Sequence, residues 1–296
     1  MKNFTCTILV VLLLVSWGIR ADAWKSSTPL QRATWLWDAT LIQRESSAVL
    51  SFLRDEGIGL LYLQVDHSVP MEEYRTFINQ ATDQHILVYA LQGEPDWVTS
   101  EGSAKSDSIM EWLHTYQQTS DQAEQFAGIH LDVEPYLLPN WNHEQKELVE
   151  EFQQLIVDWK VEALNGNLEL GLDIPFWYDE IRLGNQSLAK WIIQQADTVT
   201  IMSYRDHIEG PNGVLRITQK EREYAAQIGK KLYLALETKP SSEANYISFK
   251  SYSALKQAVS ELEQKASGVE GIGIHHYTSF RKLKEKMIKR ENNRIR

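Results

Sequence analysis

Short apolar runs alternate with longer polar segments along most of the chain. The runs are rich in β-branched and aromatic residues, and most precede a segment in which apolar residues recur with helical spacing. This pattern predicts eight strands, at 33–37, 59–65, 86–91, 127–133, 168–174, 198–203, 231–236 and 271–275. It predicts helices at 46–55, 72–82, 109–120, 143–164, 188–195, 219–228 and 252–265, and a last helix from 281.

Repeated strand–helix units indicate the α/β class. A single (β/α)8 TIM barrel needs eight such units, usually within about 250 residues, because each parallel strand requires a crossover helix to return. The main alternative is a doubly wound open sheet, which usually carries a glycine-rich phosphate turn after its first strand. Residues 37–40 are Trp-Asp-Ala-Thr instead. We therefore expect the barrel.

The amino terminus has the pattern of an export signal. Lys2 precedes an apolar run at 8–15, and the small-x-small triplet at 21–23 resembles a cleavage site. The run is shorter than the roughly 20 residues that span a bilayer. We expect a signal peptide at 1–23 and a barrel domain at 24–296 that is secreted, with an uncleaved anchor as the alternative.

Composition excludes several classes of protein. The only cysteine, Cys6, lies in the predicted signal, so the mature chain has no disulfide or thiol chemistry. The 30 Lys+Arg and 40 Asp+Glu give a net charge of −10, which argues against nucleic-acid binding. Residues 281–296 oppose this balance with eight Lys/Arg and two Glu. We expect a solvated basic helix or tail there, with a tether to an anionic wall or membrane surface as the alternative.

Polar and aromatic residues gather where the predicted strands end. In a (β/α)8 barrel the carboxyl ends of the strands form the active site. Acids, amides and aromatic rings are the side chains of sugar-binding clefts, because rings stack on sugar faces and polar groups bond hydroxyls. We predict that the substrate-binding residues are Asp38, Gln64, Asp66, Gln92, His130, Asp173, Trp177, Asp206, His275 and Tyr277.

The fourth strand carries the clearest chemical pattern. Side chains alternate along a strand, so His130, Asp132 and Glu134 share the inward face. Crowded carboxyls divide their roles, since the less solvated one keeps its proton more easily. We predict that Glu134 donates a proton to a leaving oxygen and that ionised Asp132 stabilises positive charge. A rim ion pair without chemistry is the alternative.

Two short motifs resemble a known family. Residues 128–135, Gly-Ile-His-Leu-Asp-Val-Glu-Pro, are similar to the fourth-strand signature D-x-x-D-x-D-x-E of family 18 glycoside hydrolases. Residues 201–204, Ile-Met-Ser-Tyr, are similar to the M-x-Y motif of that family. The resemblance implies a (β/α)8 barrel with Glu134 as general acid/base. It further implies that Asp132 orients an acetamido group of the substrate and that Tyr204 supports it.

The chain departs from that family at three positions. Ala127 and His130 stand where the two upstream acids of the signature are expected, and the acid that follows the sixth-strand tyrosine is displaced to Asp206. These departures leave open whether the substrate is N-acetylated and whether it assists its own cleavage.

Glu237 offers a second mechanism. It falls on the inward face at the end of the seventh strand, and acids ending strands four and seven resemble the arrangement in retaining barrel glycosidases. That resemblance implies that Glu237 attacks the anomeric carbon while Glu134 protonates the leaving group, with the carboxyls about 5 to 5.5 Å apart. An ion pair with Lys239 is the alternative.

We therefore expect a monomeric secreted glycoside hydrolase-like protein that acts on a cell-wall or matrix polysaccharide. Its catalytic residues would be Glu134, Asp132, Glu237 and Tyr204, with no metal, no cofactor and no stable membrane insertion after signal removal. A non-catalytic carbohydrate-binding barrel is one alternative. Another is a metal-dependent deacetylase or amidase, in which His130, Asp132 and His275 or His276 would be ligands.

Overall fold

The structure is a computed structural model that describes residues 30–241 and 246–295. The predicted signal peptide at 1–23 lies outside the described residues. Eight parallel strands form a closed barrel, in which each strand pairs with the next and the last pairs with the first. They are β1 (Gln31–Leu36), β2 (Ile58–Gln64), β3 (Leu87–Gln92), β4 (Gly128–Leu131), β5 (Glu169–Pro175), β6 (Thr198–Met202), β7 (Lys231–Glu237) and β8 (Gly271–His275).

Helices cover the outside of this barrel. Within the described ranges they are α1 (Leu41–Arg44), α2 (Ser46–Glu56), α3 (Met71–Thr82), α4 (Ser103–Thr119), α5 (Trp141–Gly166), α6 (Leu188–Gln195), α7 (Val214–Ile217), α8 (Gln219–Ile228), α9 (Tyr252–Lys265) and α10 (Tyr277–Ile295). Four 3-10 turns lie at Pro95–Val98, Gln122–Glu124, Pro135–Leu137 and Phe176–Asp179. A small antiparallel hairpin pairs Arg182–Leu183 with Gln186–Ser187.

The prediction of a single (β/α)8 barrel is confirmed, and all eight strands lie within two residues of their predicted bounds. Helix boundaries were harder to predict. Helix α4 begins six residues before the predicted 109, because its first turns are polar and lack an apolar period. Helix α10 begins at Tyr277 rather than 281, and α1, α7 and the hairpin are too short to show a period.

Alternation along the strands builds two apolar layers. Leu232, Leu234 and Leu236 of β7 face the helices and join the main core, as predicted. Tyr233 and Ala235 face inward and join aromatic rings from β1, β2 and β3, together with Tyr204 after β6, inside the barrel. A barrel of this size is filled by side chains rather than open, so chemistry is confined to its rim.

Glycines on neighbouring strands make room for the interior rings. A Cβ on Gly271 would lie 2.2 Å from the Tyr233 ring, and a Cβ on Gly171 would lie 2.6 Å from His130 Nδ1. Both distances are far below ordinary contact, so a larger residue at either position would displace a ring.

A buried carboxylate fastens the last helices to the barrel. Glu56 at the end of α2 is 2% exposed, accepts a hydrogen bond of 2.9 Å from the Tyr252 hydroxyl and pairs with Lys284 at 2.7 Å. Arg281 also forms an ion pair, with Glu45 at 2.6 Å. Two basic residues near the carboxyl end, Arg281 and Lys284, are therefore held by ion pairs. Among the described residues, no helix is both long and apolar enough to cross a bilayer.

Candidate active site

The carboxyl ends of the strands surround a cavity of about 230 Å³. Four strands and the loop after β7 contribute to its wall. All four predicted catalytic residues line it, and His275 joins them from the predicted substrate-binding set. The lining residues are Asp132, Glu134, Met202, Tyr204, Glu237, Lys239, Pro240, Ser241, Tyr246 and His275.

Glu134 is held by a tyrosine that follows it. Strand β4 ends at Leu131, and the 3-10 turn at Pro135–Leu137 brings Tyr136 back so that its hydroxyl donates to Glu134 Oε1. The same hydroxyl lies 2.9 Å from the hydroxyl of Tyr246. Burial and the nearby Glu134 charge raise the pKa of Tyr136, so its hydroxyl keeps its proton and remains a donor.

Asp132 lies in a crowded acidic environment. Its Oδ1 is buried and has no hydrogen-bond partner among the residues that the structure describes. Burial raises the pKa of Asp132 well above its ordinary value, and the charges of Asp173 and Glu134 raise it further. Asp132 therefore binds a proton more readily than an ordinary aspartate does.

Glu237 is surrounded by N–H donors. Its Oε1 accepts the backbone amides of Thr238 at 2.7 Å and Lys239 at 2.6 Å, and its Oε2 lies 2.9 Å from His275 Nδ1. Trp37 Nε1 donates to His275 Nε2 at 3.2 Å. Because an indole N–H can only donate, Nε2 is the acceptor and the ring proton sits on Nδ1, facing Glu237. Three N–H groups thus fix this carboxylate.

The proposed ion pair between Glu237 and Lys239 does not form. Lys239 meets the carboxylate through its backbone amide, and no ion pair joins their side chains in the described part of the chain. The ammonium group of Lys239 therefore does not neutralise Glu237.

Tyr204 forms the inner wall between the acids. It is 5% exposed, stacks on His275 with ring centroids 5.7 Å apart and meets Tyr246 edge-on at 5.1 Å. Burial raises the pKa of Tyr204 well above 10, and Glu237 is the largest of the charges that raise it further. Its phenol is a permanent hydrogen-bond donor beside the carboxylates.

His130 and Asp173 lie beneath the cavity rather than in its wall. His130 is fully buried, stacks on Tyr62 with centroids 3.7 Å apart, and places Nε2 2.9 Å from Asp173 Oδ1, although the two atoms are not aligned for a hydrogen bond. Trp35 Nε1 donates to Asp173 Oδ2 at 2.7 Å. Gly171 leaves the space that the His130 ring fills. Of these residues, Asp173 acts on Asp132 through its charge.

Three predicted acids lie in loops and bind their own neighbours. Asp38 accepts hydrogen bonds from Thr40 and Arg44, and Asp206 lies 3.1 Å from His207. The third, Asp66, accepts the backbone amide of Ser68 at 2.8 Å, which lowers its pKa. None of these carboxylates lines the cavity.

Four further predicted residues also lie elsewhere. Gln92 is buried and donates to the carbonyl of Val65, so its amide is used inside the fold. Gln64 ends β2 beside the Tyr74 hydroxyl and does not line the cavity. Tyr277 is 1% exposed, because it begins α10 and packs against helix α2.

The fourth, Trp177, lines a separate groove of about 730 Å³ between the start of α5 and the small hairpin. Gln145, Gln153 and Arg182 line the same groove. The Trp177 ring also meets Tyr136 edge-on, with centroids 5.1 Å apart. Tyr136 therefore contacts both Trp177, which lines the groove, and Glu134, which lines the cavity.

The pattern in the sequence missed several residues of the site. Tyr136 stands two residues after Glu134, and Trp35 and Tyr62 stand at inward positions of predicted strands, so alternation alone could have identified them. Tyr246 belongs to a loop without any period. His276, a candidate metal ligand, has a pKa lowered to about 4 by burial and by His275. No three His, Cys, Asp or Glu residues are grouped as metal ligands within 30–241 and 246–295.

Solved structures share this barrel. A chitinase from Chromobacterium violaceum superposes with a TM-score of 0.52 at 11% identity over 85% of this chain and 96% of that one. A GH18 chitinase from Pseudoalteromonas aurantia gives 0.53 at 11% over 84% and 94%. A GH18 chitinase from the chitin utilization locus of Flavobacterium johnsoniae gives 0.52 at 12% over 85% and 89%.

The sequence matches no protein-family model and no curated protein. The structural likeness is to the barrel used by family 18 chitinases, and at such low identity it establishes the fold alone. Function has to be argued from the cavity itself.

Proposed function

We propose that the protein is a secreted glycoside hydrolase that acts on a cell-wall or matrix polysaccharide, with Glu134 as its general acid. The observation that carries this proposal is the meeting of Glu134 and Glu237, from strands four and seven, in one small cavity. Glycoside hydrolysis commonly needs two carboxyl groups on either side of the scissile bond.

The surroundings of the two carboxyls differ in a way that suits two roles. Glu237 receives three N–H contacts, an environment that suits a carboxylate facing developing positive charge. Glu134 has a tyrosine hydroxyl as its neighbour. In the proposed reaction Glu134 transfers its proton to the glycosidic oxygen, and the bond from that oxygen to the anomeric carbon breaks. Glu237 either attacks that carbon to form an ester that water then hydrolyses, or stabilises its charge while water adds to it. In both cases the water gives a proton to Glu134, which regains its acid form.

Asp132 and Tyr204 complete the proposed machinery. Tyr204 keeps its phenolic proton and can donate to a substrate oxygen. Asp132, whose pKa is raised, can alternate between accepting and donating a hydrogen bond as charge develops. The resemblance to family 18 enzymes, together with the chitinases that share the barrel, favours an N-acetylhexosamine polymer as substrate.

The dimensions of the cavity limit what it admits. Its volume of about 230 Å³ is below the roughly 300 to 1,000 Å³ of typical small-molecule sites, so it suits a single sugar ring. Further units of a chain would lie outside it, and the groove at Trp177 is linked to the cavity through Tyr136, which contacts both Trp177 and Glu134. We propose Trp177 as a stacking platform there.

The test is a panel of soluble polymers of N-acetylhexosamine, glucose and xylose, assayed for new reducing ends and, separately, for binding. We expect at least one polymer to be cleaved. Glu134→Gln should lower its rate by about 10² to 10⁴, the contribution typical of general acid catalysis. Glu147→Gln, on the exposed face of α5, is the matched control and should leave the rate unchanged.

A non-catalytic carbohydrate-binding barrel is the second candidate, favoured by the replacement of the upstream signature acids with Ala127 and His130. Binding without new reducing ends, equal in the wild type and in Glu134→Gln, would support that candidate and contradict the enzyme. If cleavage occurs, Glu237→Gln and the anomer first formed decide whether Glu237 attacks directly. Full activity of that variant would remove Glu237 from the mechanism.

A further inference from the structure

The second half of helix α10 borders a groove of about 260 Å³ on the outside of the barrel. The opposite wall is the start of helix α9, where Lys250 precedes the capping residue Ser251. Lys286, Arg290 and Arg294 enter the groove from α10. Four cationic side chains therefore converge on one concave surface, away from the candidate active site.

These four cations differ from two other basic residues, both on α10. Arg281 and Lys284, in the first half of α10, form ion pairs with Glu45 and Glu56. The four groove cations form no ion pair with any residue within 30–241 and 246–295. One acid, Glu291, also borders the groove. The groove thus has an excess of positive charge that no ion pair among the described residues neutralises.

This positive charge lies on a chain whose overall charge is negative. The whole chain has a net charge of −10, whereas residues 281–296 contain eight Lys/Arg and two Glu. A local basic site on an acidic molecule attracts an anionic partner, while the rest of the surface repels it. The partner must therefore be narrow enough to contact the groove alone.

The shape and polarity of the groove distinguish between two kinds of anionic partner, a membrane and a flexible chain of phosphates. A flat bilayer is bound by helices that insert several large apolar side chains beside their cations. Among the described residues of α10, Ile288 is the only large apolar side chain that is strongly exposed, at 42%. A concave basic groove with one exposed isoleucine suits a flexible chain of phosphates better than a membrane.

We propose that this groove binds a phosphodiester polymer, so that the enzyme is retained at an anionic wall or matrix while its cavity acts on a glycan. The binding step needs no catalysis and is independent of the proposed hydrolysis. Guanidinium and ammonium groups bind phosphate oxygens through charge-assisted hydrogen bonds, and Arg290 with Arg294 supplies the planar donors suited to them.

The test measures affinity of the purified protein for poly(glycerol phosphate) at about 0.15 M salt, where long-range attraction between exposed charges is largely screened. We compare R290Q/R294Q with K282Q/K289Q. Both variants remove two exposed cations from α10, but the second pair does not line the groove. We expect the first variant to weaken binding roughly 30-fold and the second less than about threefold.

Four outcomes would overturn the proposal. They are no binding by the wild type, equal losses in the two variants, wild-type affinity in R290Q/R294Q, or binding to vesicles containing phosphatidylglycerol without binding to the polymer. Circular dichroism of both variants checks that the fold is kept. Cleavage of soluble glycans by R290Q/R294Q should equal that of the wild type, so a failed glycosidase assay and a failed binding assay are separate results.

Discussion

Asp132 and Asp173 are a pair of acids whose charges act on each other inside the barrel. The negative charge of Asp173 is one cause of the raised pKa of Asp132, after burial. His130, which lies between β3 and β5 in the barrel, places Nε2 close to Asp173 but does not bond Asp132. The family resemblance would have an acid at position 130, and here a β5 acid provides the nearby charge instead.

This arrangement predicts the direction of a pH shift. Asp173→Asn removes a negative neighbour, which favours ionisation of Asp132, so the pKa of Asp132 should fall. If catalysis needs ionised Asp132, the acid limb of the kcat/KM profile should move to lower pH. Initial rates measured across the pH range check this. Asp206→Asn, an exposed acid outside the cavity, should leave the limb in place, and a limb unchanged in both variants would contradict the coupling.

Among individual residues, the acids that line the cavity were predicted from the sequence, whereas Tyr136 and Tyr246, which contact them or lie beside them, were not. Glu134 and Glu237 were predicted because strand alternation fixes which face a side chain takes. Asp38 and Asp66 were predicted only because they follow predicted strands, and in the structure their side chains bind local backbone amides. Loop direction depends on tertiary contacts, and periodicity carries no information about it.

Strand β5 leaves room for a buried ring of the neighbouring strand β4. Gly171 lies opposite the His130 ring, and a Cβ there would come within 2.6 Å of Nδ1 and 2.7 Å of Thr198 Oγ1. Gly171→Ala should therefore lower the free energy of unfolding by roughly 1 to 3 kcal/mol, as overpacking does. Gly59→Ala in β2 is the control, since its added Cβ meets only ordinary contacts at 3.7 Å. Denaturant unfolding measures both, and equal stability of the two variants would contradict the packing described.

Helix α8 carries a pH-sensitive carboxyl. Glu221 is 3% exposed, and burial raises its pKa from 4.5 to about 7. A carboxyl whose pKa is raised on folding contributes stability that is fully present below its unfolded pKa and is lost as pH rises through its folded pKa. The wild type should therefore lose up to about 3 kcal/mol from this group between pH 4.5 and 7.5.

Glu221→Gln removes this titration. Its free energy of unfolding should change less with pH than that of the wild type, whereas the exposed Glu223→Gln on the same helix should behave as the wild type does. Urea titrations at pH 5 and pH 7.5 give the comparison. A pH dependence that persists in Glu221→Gln would show that another group is responsible.

Across the whole molecule, the number and order of the barrel strands and of the longer helices could be predicted because each of these elements has its own period. Eight apolar runs with helical segments between them leave few topologies other than a barrel. The two grooves beside Trp177 and Arg290 could not be predicted in this way. Each forms where two elements separated by a barrel strand pack side by side, and their lining residues share no pattern.

The whole molecule thus has three separate surfaces: an acidic cavity at the strand ends, a larger groove at Trp177, and a basic groove on α10. A polymer bound along the first two should depend on Trp177 more as it becomes longer. Trp177→Ala should raise KM for long chains and leave KM for a disaccharide unchanged. Trp191→Ala on α6 is the control, and equal changes for both chain lengths would contradict a platform role.

The central claim is that Glu134 gives its proton to the leaving oxygen, and leaving-group dependence measures this directly. Glu134→Gln is compared with the wild type on the natural polymer and on the dinitrophenyl glycoside of the same sugar, whose leaving group needs no proton. We predict a loss of about 10² to 10⁴ on the polymer and less than about tenfold on the dinitrophenyl glycoside. Equal losses on both substrates, or no loss on the polymer, would contradict the account.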